Sequence, residues 1–63
     1  MHPDGAQLSS IASALSDLTE RVTAIADRHA GTHDEPVASA LYEVERSLQA
    51  AARRLSAVIR DLG

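Results

Sequence analysis

Two runs of apolar residues, each spaced alternately by three and four, flank one short segment of turn-forming residues, and this pattern leaves the chain few folds. The first run is Leu8, Ile11, Leu15, Leu18, Val22 and Ile25. The second is Val37, Leu41, Val44, Leu48, Ala51, Leu55, Val58 and Leu62. Spacing of this kind returns a side chain to one face of an α-helix on successive turns, whereas a strand needs alternation by two, which neither half has. Between the runs lies Ala30-Gly31-Thr32-His33-Asp34-Glu35-Pro36. Gly31 suits the left-handed position after a helix end, and Pro36 suits the first turn of a new helix.

These signals predict helices over residues 5–30 and 36–62, joined by a turn at 31–35, each helix about 40 Å long at 1.5 Å per residue. So short a connection forces the helices to lie antiparallel. Asp4 followed by Gln7 suggests a capping box at the first helix. Asp34 and Glu35 set negative charge at the positive end of the second helix. Folding the two runs about the turn places Ile25 opposite Leu41, Val22 opposite Val44, Leu18 opposite Leu48, Leu15 opposite Ala51, Ile11 opposite Leu55 and Leu8 opposite Val58. The expected fold is all-α, a single antiparallel coiled-coil hairpin over 1–63.

Composition then argues that one hairpin is not the whole assembly. A 63-residue chain buries a small fraction of its surface, and small folds compensate with disulfides, a structural metal or oligomerisation. There is no cysteine, which removes disulfides and thiolate zinc sites. Ala12, Ala14, Ala26, Ala40, Ala52 and Ile59 flank the two runs and widen the apolar stripe beyond what a two-helix seam needs. The expected assembly is a homodimeric four-helix bundle. Its core positions are Leu8, Ile11, Leu15, Leu18, Val22, Ile25, Leu41, Val44, Leu48, Ala51, Leu55 and Val58. In the second helix the acidic Asp34, Glu35, Glu43 and Glu45 precede the basic Arg46, Arg53, Arg54 and Arg60, with Asp61 the exception. Antiparallel copies of that helix set acid against base, and the same order also complements the helix's own dipole.

Charge bounds the function classes. A net charge of −3 and a pI near 5.4 argue against a coat for nucleic acid or for an anionic membrane. Met1-His2-Pro3-Asp4 does not open a basic segment with an apolar run behind it, and no apolar stretch approaches membrane-spanning length. A cytoplasmic protein without membrane insertion is expected. Every basic residue is Arg and none is Lys, which with abundant Ala suggests a high-GC bacterial genome.

Arg46, Arg53 and Arg60 recur at heptad spacing, with Arg54 adjacent in sequence, and form a stripe on an outward face. Such a stripe is ordinarily a solvated face. Its functional readings are an acidic protein partner or, as an alternative, the phosphates of RNA. No aromatic residues interleave with it, which favours protein over nucleic acid. Tyr42, the single aromatic, sits at an outward position and is a candidate interface anchor. His29 and His33 are four apart, as helical metal ligands are, but Gly31 interrupts the helix between them and no Glu-x-x-His pair exists. His29 is expected to close the end of the core and His33 to be a solvated turn residue. No metal and no cofactor are expected. Without a nucleophile set, a phosphate loop or space for a deep pocket, the chain is expected to be a non-enzyme. The combined expectation is a structural, protein-interaction module that pairs with itself and binds another protein, with a small RNA-binding bundle as the alternative.

Overall fold

The computed structural model describes residues 2–63; Met1, at the edge of the expected unit, lies outside them. Helix α1 spans Gly5–His29 and helix α2 spans Glu35–Leu62, packed side by side along their length. The molecule is a rod with extents of 50 × 14 × 9 Å. Both helices sit within a residue of their expected bounds, a difference that frayed ends make energetically trivial.

The turn follows from local chemistry. The Ala30 amide donates to the Ala26 carbonyl at 3.0 Å, and Ala30 then goes extended with φ −64° and ψ 133°. Gly31 takes φ +78°, a conformation that costs a residue with a Cβ about 1–2 kcal/mol. Its amide donates to the Glu35 carboxylate, so Glu35 ties the turn together as well as placing charge at the start of α2. Thr32 Oγ1 donates to the His29 carbonyl at 2.6 Å and accepts from the Asp34 amide at 3.0 Å.

The capping box at Asp4 is not formed. Asp4 has helix-like angles, φ −91° and ψ −3°, and its side chain caps nothing. Reaching the amides of the first turn requires an extended backbone at the cap residue. His2 takes over instead: its Nδ1 accepts from the Asp4 amide at 3.1 Å, and its carbonyl accepts from the Gly5 amide at 3.1 Å.

Packing departs from the expected layers in an informative way. The seam where α1 meets α2 follows Leu8, Ala12, Leu15, Thr19, Val22 and Ala26 on one helix. On the other it follows Ala38, Leu41, Glu45, Leu48, Ala52, Leu55, Ile59 and Leu62. Ala26 and Ala38 are fully buried and Thr19 is 9 % exposed. In every expected layer one member is half-buried and the other exposed: Leu41 but not Ile25, Val22 but not Val44, Leu48 but not Leu18, Leu15 but not Ala51, Leu55 but not Ile11, Leu8 but not Val58. Ala12, Ala26, Ala52 and Ile59, expected at the flanks, lie in the seam, while Ala14 and Ala40 remain exposed. Small side chains let helix axes approach closely, so the hairpin turns its alanine edge inward and its bulkier edge out.

Candidate interaction surfaces

The outward apolar edge forms one face. Ile11, Leu18 and Ile25 on α1, and Val37, Val44 and Val58 on α2, are 40–49 % exposed. At about 100° per residue, each set lies roughly 80° around its helix from the seam, in the same rotational sense. In an antiparallel pair, equal rotation in one sense brings both sets to the same side of the rod. Exposed Ala51 continues the α2 row, and exposed Ala14, Ala40 and Ser47 border the face with small side chains. Arg54 continues the row of Ala40 and Ser47, and Glu43 lies beyond that row, toward Arg46.

The opposite face is closed by polar ties between the helices. Thr23 Oγ1 donates to the Glu45 carboxylate, and Tyr42 Oη donates to Asp27 Oδ1 at 2.6 Å. Thr19 also returns its hydroxyl to the Leu15 carbonyl one turn back at 2.7 Å, and the single Thr23 proton is shared between Glu45 and the Thr19 carbonyl, 3.0 Å from Oγ1. Tyr42, expected to point outward, is thus half-buried with its polar end engaged inside the chain. The Asp27 carboxylate can accept this hydrogen bond only while the phenol keeps its proton. That hydrogen bond, then partial desolvation and the charges of Asp27, Glu35 and Glu45, pushes the Tyr42 phenol above its ordinary value of 10.0. Neither Glu45 within an apolar seam nor the Tyr42–Asp27 tie was legible in the sequence; only an i to i+22 and an i to i+15 proximity reveals them.

Arg46, Arg53 and Arg60 lie on the outer side of α2, turned away from the apolar face. Arg54, one residue on and so about 100° around the helix, borders the apolar face instead and is not part of that stripe. Arg46 pairs with Glu43 at 3.8 Å between exposed side chains. Among the described residues no carboxylate lies within 4.0 Å of Arg53, Arg54 or Arg60.

At the turn, half-buried His29 places Nδ1 3.6 Å from Asp34 Oδ2, and His33, 95 % exposed, places Nε2 3.9 Å from Asp34 Oδ1. Among the described residues, no three His, Asp or Glu side chains converge as a metal site requires. At the far end, His2, Gly5, Ala6, Ser9, Ile59, Leu62 and Gly63 line an open cleft of about 270 Å³, smaller than ordinary ligand pockets. No helix among the described residues is long and apolar enough to cross a membrane. No family model matches the chain, and neither a curated protein nor a solved structure matches it.

Proposed function

We propose that this chain is a non-catalytic structural and protein-interaction module of the cytoplasm. Two hairpins pair through their apolar faces into a four-helix bundle, whose outer arginines then engage another protein. One observation carries the pairing: six large apolar side chains, 40–49 % exposed, are gathered on a single face while polar ties close the other. Contiguous apolar surface of this kind marks an interface.

A second copy is the occupant that this face fits. The half-buried Leu8, Leu15, Val22, Leu41, Leu48 and Leu55 and the exposed Ile11, Leu18, Ile25, Val44, Ala51 and Val58 together make the core of a bundle once an equal stripe closes over them. Among the described residues the hairpin alone fully buries only Ala26 and Ala38, and the sequence has no cysteine, so association would supply stability that the lone hairpin lacks. In such a bundle Arg46, Arg53 and Arg60 stay in solvent, available to an acidic protein surface.

Sedimentation equilibrium at micromolar concentration tests the pairing, with a dimer expected and a folded monomer contradicting it. For the outer face, replacing Arg46, Arg53 and Arg60 with Gln is expected to leave dimer stability within about 1 kcal/mol per lost pair and to abolish capture of an acidic partner. A loss of dimer stability confined to low salt would assign these arginines to bridges between subunits instead. Tight, salt-resistant RNA binding that disappears in the Gln variant would favour the nucleic-acid alternative.

A further inference from the structure

We infer that the two hairpins pair with their turns at opposite ends, so that α1 lies along α1 and α2 along α2 of the partner subunit, each antiparallel to its copy. This arrangement presupposes the pairing proposed above and specifies its geometry. Two hairpins meeting face to face about a twofold axis have two choices. An axis along the rod puts both turns at one end and sets α1 against α2; an axis across the rod puts the turns at opposite ends and sets like helix against like.

Charge separates the two. Leu18 and Leu48 lie near the middles of their helices. On the turn side of them, Glu20, Asp27, Asp34, Glu35, Glu43 and Glu45 face Arg21, Arg28 and Arg46, a formal side-chain charge of −3. On the side of the termini, Asp4, Asp17 and Asp61 face Arg53, Arg54 and Arg60, which cancel. These two values account for the −3 of the whole chain. Turns at the same end would stack two ends of −3 within a Debye length of about 8–10 Å, whereas opposite turns lay each −3 end beside a neutral one.

The apolar face and its margin fit the same choice. Ile11, Leu18 and Ile25 read alike in both directions, so antiparallel stacking of α1 on its copy sets Leu18 on Leu18 of the partner subunit and Ile11 on Ile25 of the partner subunit. The exposed α2 row Val37, Val44, Ala51 and Val58 centres between Val44 and Ala51. Antiparallel pairing about that centre brings Glu43, which lies between the margin and Arg46, to within a helical turn along the axis of Arg54 of the partner subunit, and by symmetry twice over. Ser47, on the same margin, comes beside its own copy.

The chain has no native cysteine, so one substitution places one label. His33→Cys alters a turn residue that is 95 % exposed. Pulsed dipolar resonance on the spin-labelled full chain is expected to give a distance approaching the 50 Å length of the rod. Independently, Ser47→Cys is expected to form an intermolecular disulfide, since only like-on-like pairing of α2 brings the two thiols within bonding range. A label distance of about 20 Å or less, of the order of two interaxial spacings, would overturn the arrangement and leave the dimer intact. Failure of Ser47→Cys to cross-link in a variant that sediments as a dimer would overturn it as well. Monomeric sedimentation of both variants and of the parent chain would overturn the pairing itself.

Discussion

Truncating Leu18 to Ala distinguishes an open apolar face from a covered one. Leu18 is 49 % exposed in the single hairpin, so its burial there is worth about half of the roughly 1.5–3 kcal/mol that a fully buried large aliphatic side chain contributes. If the hairpin works alone, Leu18→Ala therefore costs about 1 kcal/mol, and its melting temperature does not depend on concentration. If a second copy covers the face, the same change opens a cavity at the centre of the bundle and costs about 2–5 kcal/mol per protomer, incurred twice in the dimer. At 1.4 kcal/mol per decade, about 4–10 kcal/mol per dimer weakens association by roughly three to seven orders of magnitude. Circular dichroism melts at two concentrations a hundredfold apart, with sedimentation equilibrium, read both quantities. The expected result is a concentration-dependent melt for the parent chain and concerted loss of helix and dimer in Leu18→Ala. A cost near 1 kcal/mol with concentration-independent melting would refute the covered face. Leu48→Ala is the companion variant: it sits in the hairpin seam and is expected to weaken folding and assembly together by about 2–5 kcal/mol.

Three further outcomes follow from single contacts. Spectrophotometric titration of Tyr42 should give a midpoint above 10.0 that falls toward that value in Asp27→Asn. Because folding favours the neutral phenol, the stability it lends is complete below pH 10.0 and is lost as the pH rises through the folded midpoint, a decline that Tyr42→Phe should abolish. Gly31→Ala places a Cβ at φ +78° and should lower stability by about 1–2 kcal/mol although nothing crowds the added carbon; an unchanged thermal midpoint would argue against the left-handed turn. Thr23→Val alone removes the donor to Glu45 and should cost about 1 kcal/mol, whereas Thr23→Val with Glu45→Leu should match or exceed the parent chain in chemical denaturation, because the double change removes both polar partners and fills a seam position.

Helix content, helix bounds and the turn were legible from residue order because their causes are local. The three-four spacing, the left-handed Gly31 and the early Pro36 each act within a few residues of themselves. The exception at this level is the Asp4 capping box, lost because Asp4 takes helix-like angles, while the exposed bond from Tyr42 to Asp27 is a tie between the helices that residue order did not show. Of the candidate surfaces, the arginines at 46, 53 and 60 were readable as a stripe from their spacing, while the separation of Arg54 from it needed the direction of the seam.

What residue order determined by itself is a pair of antiparallel helices with an apolar stripe too wide for two helices to cover. Which edge of that stripe turns inward was decided only by tertiary structure. Periodicity locates the middle of an apolar stripe, and the polar Thr19 and Glu45 on one edge of it give no local sign that this edge turns inward. That choice comes from how closely two helix axes can approach. Ala12, Ala26, Ala38 and Ala52 line the inner edge, Ala26 and Ala38 are fully buried there, and the bulkier Ile11, Leu18, Ile25, Val37, Val44 and Val58 are left on the outer face.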